Sequence, residues 1–200
     1  KAMPRFMKKL RKANEGKKIR YFGVGEYGAD GRPHYHLCVF GHDPLDKRYL
    51  ATQRGHKVYV AESIESAWSR EKESLGLHQV GSLTEDSARY VAGYVQKKVY
   101  RAAGCATVNV VDSDSGEVFA VAPEFAQMSR RPGIGRGWIE RWHDEVVAGA
   151  EVVVEGRLAR APSYYDRILM EMDPERFEEI RIERRKHVKR SECTPQRLAV

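Results

Sequence analysis

The sequence predicts an α+β fold, a central and mostly antiparallel β-sheet with flanking helices. Three observations carry that prediction. Lys18 to Tyr27 and the run through His34-Tyr35-His36 to Phe40 read as two strands joined by turn residues. From Ser82 to Arg101, helix start and stop signals bracket an apolar stripe. Ala106 to Val111 and Val118 to Val121 then flank Asp112-Ser113-Asp114-Ser115-Gly116, a turn-rich stretch that reads as a second hairpin. The 200 residues suit one domain with appendages, and no internal repeat is visible. Residues 1–150 are expected to form the catalytic domain, with 151–200 a C-terminal extension packed on it.

Taken in order, Arg5 to Lys12 reads as a short basic helix, followed by the Lys18–Tyr27 strand. Pro33 is acceptable at the first residue of the next strand, and Leu37-Cys38-Val39-Phe40 continues it as an apolar run. Val58-Tyr59-Val60 is a brief strand candidate. Ser63 can cap a helix through Trp68 towards Gly76, and Leu77 to Val80 resembles a further strand. Ser82-Leu83-Thr84-Glu85 has the capping-box pattern, with Asp86 suited to the positive helix end and Lys97, Lys98 and Arg101 to the negative end. Arg130 to Gly137 is punctuated by Pro and Gly throughout and cannot be regular, whereas Trp138 to about Val147 looks helical. Val152 to Val154 before Gly156 suggests a small strand and turn, and Pro174 can start a charged helix to about Arg190.

Subtracting 28 acidic from 35 basic residues leaves +7, concentrated in Lys8-Lys9-Leu10-Arg11-Lys12, Lys97-Lys98, Arg130-Arg131 and Arg184-Arg185-Lys186. Such clusters favour a polyanion such as nucleic acid, although any one of them also suits a solvated helix face. Cys38, Cys105 and Cys193 are odd in number and lack CxxC spacing, which points to free thiols in a reducing compartment. No apolar stretch approaches the roughly 18 residues needed to cross a bilayer, so a soluble, intracellular protein without membrane contact is expected.

On a strand, His34 and His36 project from one face, so both imidazoles can grip one metal ion. By itself His-x-His on a half-buried strand is more often structural. Hairpin register decides whether a carboxylate joins them, because a slip of one residue reverses every side chain. A two-residue Asp30-Gly31 turn would pair Tyr27 with His34 and send Glu26 to the far face. A three-residue Ala29-Asp30-Gly31 loop has Gly where a left-handed residue is needed, and it pairs Gly28 with Arg32 and Glu26 with His34. The second register is favoured, the alternative for Glu26 being an exposed strand residue paired with Arg32 or Lys18. Two imidazoles and a carboxylate suit Mg²⁺ or Mn²⁺, with zinc plausible from ligand type. His42, His56 and His78 lack this spacing and read as surface or packing residues.

Tyr90 and Tyr94 stand four apart on the capped helix, on one face, with Lys97 and Arg101 continuing the stripe. Ala88, Val91, Ala92, Val95 and Val99 cluster nearly opposite, leaving the tyrosines free of the main packing role. A phenol with its usual pKa near 10 needs a cation nearby to act as a nucleophile. Lys97 and Lys98 are the adjacent cations, and simple charge complementarity at the helix end is the alternative for either.

Gly25-Glu26-Tyr27-Gly28, Arg32-Pro33-His34-Tyr35-His36 and Tyr90-Val91-Ala92-Gly93-Tyr94-Val95-Gln96-Lys97-Lys98 resemble the motifs of HUH endonucleases. More narrowly, they resemble the rolling-circle replication initiators of microviruses, particularly the gokushovirus branch. Met128 to Gly135 and Thr194 to Leu198 also look like that group. The family has an upstream strand with a Thr-Leu-Thr-like motif, absent before Lys1, so the sheet is expected to lack its N-terminal strand. The resemblance implies nicking and joining of a single-stranded DNA origin through a 5′-phosphotyrosine. Tyr90 and Tyr94 would alternate as nucleophiles, assisted by Lys97 and Lys98, with Mg²⁺ or Mn²⁺ on His34, His36 and Glu26. It further implies host replication proteins, a helicase and a polymerase, as partners in the host bacterial cytoplasm. Arg130, Arg131 and Arg136, with Lys8 and Lys9, are the expected DNA contacts, the glycines of the Arg130 loop either permitting close approach to a phosphate or serving a structural connector. A single-tyrosine transposase or relaxase, a nonspecific phosphodiesterase and a non-catalytic nucleic-acid-binding module are the alternatives.

Overall fold

Met3, Phe6, Met7 and Leu10 recur at helical spacing, and Ala2–Ala13 (α1) buries them along one face. The computed structural model describes residues 2–28, 31–94, 108–111, 115–147 and 151–187. After α1 come β1 (Arg20–Tyr27), β2 (Pro33–Phe40), β3 (Lys47–Gln53), β4 (His56–Ala61) and α2 (Glu62–Ala67). The short β5 (Ser69–Arg70) and β6 (Glu73–Ser74) precede α3 (Glu85–Tyr94), β7 (Val108–Val111), β8 (Val118–Val121) and β9 (Phe125–Met128). Then follow α4 (Arg136–Val147), β10 (Glu151–Val154), β11 (Arg157–Arg160), α5 (Ser163–Met172) and α6 (Pro174–His187). The described residues are thus α+β, with every paired strand antiparallel. No helix among them is long and apolar enough to cross a membrane.

The largest sheet runs β2-β1-β9, and its two faces have different tasks. Tyr21, Leu37 and Val39 pack with Phe6, Met7, Leu10 and Ile19 from the α1 side, together with Ile64, Ala67 and Trp68 of the α2 region. Arg11 ties this layer down by donating to the Ile19 carbonyl and to Ser129 Oγ, which also accepts from the Tyr21 amide. On the opposite face, Val24 and Cys38 are buried beneath Val91 of α3, flanked by Phe22, Phe40, Ala88, Tyr94 and Ala126. At Gly25, a Cβ would lie 2.6 Å from the Phe125 ring, so the missing side chain is what lets that ring lie across the sheet.

The described residues form two compact units, one ending at Ser129 and the other starting at Arg130, rather than dividing after 150. The earlier division follows from contacts: α4 packs Ile139 and Val146 with Ile168 and Leu169 of α5. Several local expectations are also corrected. The helix starting near Ser63 stops at Ala67, and Asp46, not Ser63, supplies the carboxylate that accepts from the Ser63 amide and hydroxyl. Leu77–Val80 forms no strand, only a bridge between Val80 and Tyr59. On α3 the capping pair is Thr84 with Ser87, each side chain accepting from the other's amide, two residues later than the predicted box. Strands β3 and β9 and helix α5 add to the predicted elements, whereas the predicted hairpin at β7 and β8 and the helices at α4 and α6 are present.

Two outcomes follow from the packing. Gly25→Ala should cost about 1–3 kcal/mol in urea unfolding, because the added methyl overpacks against Phe125. Burial pushes the Cys38 thiol up from its usual range, so its thiolate is scarce at mildly alkaline pH. Mass-mapped iodoacetamide labelling of the native protein should therefore modify Cys38 far more slowly than in urea.

Candidate active site

The hairpin takes the three-residue register: Glu26 pairs with His34 and Val24 with His36, while Gly28 and Arg32 close the loop through a 2.9 Å hydrogen bond. Gly31 has φ +72°, the left-handed conformation for which the turn requires glycine. Directly paired residues share a face, so Glu26, His34 and His36 stand on the α3 side of the sheet. The Glu26 carboxylate is buried and hydrogen-bonded to His36, with 2.9 Å between Oε1 and Nε2. This overturns the exposed-strand alternative for Glu26. His34 is exposed, and among the described residues no three His, Cys, Asp or Glu side chains converge as a ready-made metal cluster.

Helix α3 brings the tyrosines to the same place. The His36 and Tyr94 rings stack at 4.9 Å between centroids, and Tyr90 meets His36 edge-on at 6.1 Å. The two phenol oxygens are hydrogen-bonded to each other. Tyr90 is more than half exposed, whereas Tyr94 leans on the Val24–Cys38–Val91 cluster, so the second tyrosine shares the packing role expected of Ala92, which is exposed. Burial pushes the Tyr94 phenol well above its ordinary pKa, and its hydrogen bond to Tyr90 and the nearby Glu26 carboxylate add to this. A hydroxyl held in that state attacks only when positive charge is supplied. Lys97 and Lys98, expected to supply it, lie outside the described residues.

The other predicted contacts divide. Lys8 is exposed on α1, while Lys9 spends its ammonium on Ser69, 2.6 Å from the carbonyl and 3.1 Å from Oγ. Arg136 is paired with Glu140 at 2.6 Å and Glu171 at 3.1 Å, so its charge is already compensated within its own unit. Arg130 and Arg131 are exposed. The glycines of that loop serve packing: a Cβ at Gly133 would lie 2.3 Å from the Tyr164 hydroxyl, and one at Gly135 2.8 Å from that of Tyr165. They make room for α5, not for a phosphate. His56 is exposed, and His78 accepts from the Ala61 amide, a packing role. Sequence reasoning missed Glu124, which accepts from the Tyr27 amide at 3.1 Å and holds the start of β9 at the Glu26 end of the sheet. Its only signal was a carboxylate just ahead of Phe125-Ala126-Gln127-Met128.

Comparison with known proteins places this geometry. The family of the replication-associated protein ORF2 matches residues 1–99. The replication-associated protein VP4 of Bdellovibrio phage phiMH2K is 32% identical over 184 residues, covering 87% of this chain and 53% of that protein. The replication-associated protein ORF2 of Spiroplasma virus 4 is 30% identical over 173 residues, covering 82% and 48%. ORF4 of Chlamydia phage 1, also replication-associated, is 38% identical over 97 residues, covering 46% and 24%. The chain spans about half the length of the first two relatives. No solved structure matches.

The cluster makes one titration testable. Because the Glu26 charge and the Tyr90 hydrogen bond both hold the Tyr94 proton on, Glu26→Gln and Tyr90→Phe should each move the Tyr94 transition to lower pH. NMR of tyrosine labelled at Cζ reads this directly, and an unmoved Tyr94 resonance in both variants would contradict the cluster.

Proposed function

The chain belongs to the replication-associated protein ORF2 family, and on that premise we propose that it serves phage genome replication as a metal-dependent nicking and joining enzyme for single-stranded DNA. The observation that carries this reading is the meeting of the Tyr90 and Tyr94 hydroxyls beside the Glu26 and His36 pair. Two nucleophiles in one place suit two successive transfers at one phosphate position.

The donor set fits Mg²⁺ or Mn²⁺: a buried carboxylate, an imidazole bonded to it, and a third ligand on the same face. Directly paired Cβ atoms stand roughly 5 Å apart, within the span of two ligands to one ion, so a rotation of the exposed His34 ring completes the set. Such an ion, bound by Glu26, His34 and His36, would polarise a nonbridging phosphate oxygen and stabilise charge on the leaving oxygen.

The chain's own residues account for the remainder. Tyr90, the exposed member, attacks the scissile phosphorus as its phenol proton is released. The bond from phosphorus to the 3′ oxygen breaks, and that oxygen takes up a proton to leave as a 3′ hydroxyl that can prime synthesis. The 5′ end stays on Tyr90 as a phosphotyrosine. Tyr94 then attacks the regenerated origin, and the new 3′ hydroxyl displaces Tyr90 to close the circle. Because each phosphodiester is exchanged for a phosphotyrosine, joining needs no ATP. Lys97 and Lys98 are assigned to lower the phenol pKa or to neutralise the pentavalent phosphate. Lys8, Arg130 and Arg131 are assigned to phosphate contacts, which predicts binding that weakens with salt.

Single-stranded oligonucleotides tiled across the replicon that encodes the chain provide the test. With Mn²⁺ or Mg²⁺, mass spectrometry should find a DNA adduct on Tyr90, and on Tyr94 when Tyr90→Phe is used; chelation should abolish both. Each single Phe variant should retain cleavage but lose joining. Cleavage with no adduct would mark a nonspecific phosphodiesterase, one silent and one dead variant would mark a single-tyrosine enzyme, and binding without cleavage would sink the catalytic reading.

A further inference from the structure

The hairpin of β3 and β4 stands outside the sheet that carries the tyrosine site, as its own two-stranded ribbon. Its composition is one-sided. Between Asp46 and Glu62 the chain has no acidic residue, while Lys47, Arg48, Arg54 and Lys57 are cationic and His56 can become so. Lys47 is committed at the base, bonded to Asp43 and set over the Tyr59 ring. Arg48, Arg54 and Lys57 are exposed, and no carboxylate pairs with them among the described residues. The base is fixed by the buried Ala61 and by the Tyr59 and Val80 amides, which bond each other's carbonyls at 2.9 and 2.8 Å. The tip is a two-residue turn, Arg54 and Gly55 with φ +48° and +82°, which sets an arginine at the farthest point of the ribbon.

We propose that this ribbon grips double-stranded DNA, its tip entering the major groove and Arg48, Arg54 and Lys57 holding phosphates on the groove walls. Two paired strands with their side chains match a groove about 12 Å wide. The tip, Thr52-Gln53-Arg54-Gly55-His56-Lys57, has no Phe, Tyr or Trp, the stacking platforms with which proteins hold single strands. It does have groups that read base edges: Gln53 and His56 pair on one face of the ribbon, and Thr52 and Lys57 on the other. The partner is thus duplex DNA, next to the single strand assigned to the tyrosine site, and the inference stands on the ribbon alone.

The test uses the full chain with Arg48, Arg54 and Lys57 all changed to Ala. Binding is measured by fluorescence anisotropy over a salt series, with a blunt duplex of about two helical turns and with oligothymidine. The variant should lose at least about tenfold in duplex affinity, and its slope of log affinity against log salt should fall by roughly three, about one per lost phosphate contact. Oligothymidine affinity should stay at the wild-type value. Unchanged duplex affinity and slope would overturn the proposal and leave these cations as protection of the β3 edge against pairing with other chains. Equal losses on both probes would overturn it as well, by making the ribbon a single-strand track. Duplex binding by wild-type protein that never forms a tyrosine adduct would count against the nicking reading while still supporting the ribbon.

Discussion

Everything at the tyrosine site depends on the register of one hairpin. With the loop closed by Gly28 and Arg32, Glu26 shares a face with His34 and His36 and is hydrogen-bonded to His36. One residue of slip would turn the Glu26 carboxylate towards the layer of Met3, Tyr21 and Leu37, where a charge finds no compensating donors. The same slip would expose Val24 and Cys38, which form the floor for Val91. Hydrophobic burial and charge burial therefore enforce one register together. A short loop with glycine at its left-handed position makes that register attainable.

From this register follows a division of labour across the sheet. The α1 face is apolar from Phe6 through Leu10 to Ile19 and is bolted by Arg11 to Ile19 and Ser129, so it supplies stability. The α3 face is apolar only along Phe22, Val24, Cys38 and Phe40, and turns polar at its Glu26 end. Helix α3 lies over this transition. Its Val91 buries, Tyr94 straddles the boundary, and Tyr90 reaches into water. A rigid floor under one turn of helix is a better positioning device than a loop, because two hydroxyls four residues apart are carried by one element.

Much of this was legible in the chain. Gly31 at the third loop position fixed the register, and the i, i+4 spacing of Tyr90 and Tyr94 placed both hydroxyls together. Other features were not, because they arise from tertiary packing. The apolar stripe placed Ala92 inside and Tyr94 outside, yet His36 draws Tyr94 down by stacking, while Ala92 stays exposed. The glycines around Pro132 read equally as a phosphate cradle, and only the positions of Tyr164 and Tyr165 on α5 decide for packing. Arg136 carried the same positive charge on paper as Arg130, but Glu171, far away in sequence, joins Glu140 in neutralising it. Strand β9 is short and lacks strong alternation. What makes it a strand is the open edge of β1, together with the missing side chain at Gly25 that admits Phe125.

The unequal burial of the two tyrosines bears on how alternating transfers would be ordered. Because their hydroxyls share a hydrogen bond, a phosphate within reach of one oxygen is within reach of the other, and neither needs the helix to move. They differ in what it takes to ionise them: Tyr94 is partly desolvated and faces the Glu26 carboxylate, so its proton is held while that carboxylate is uncompensated. A cation bound by Glu26 removes part of that penalty, which ties the readiness of the second nucleophile to the same ion that would activate the phosphate. Tyr90, bordered by solvent, does not depend on it to the same degree. On the proposed reading the pair is therefore ordered by its surroundings: the exposed hydroxyl opens the cycle, and the buried one becomes competent only in a loaded site, so a second transfer without the ion is disfavoured by the packing of α3 against the sheet.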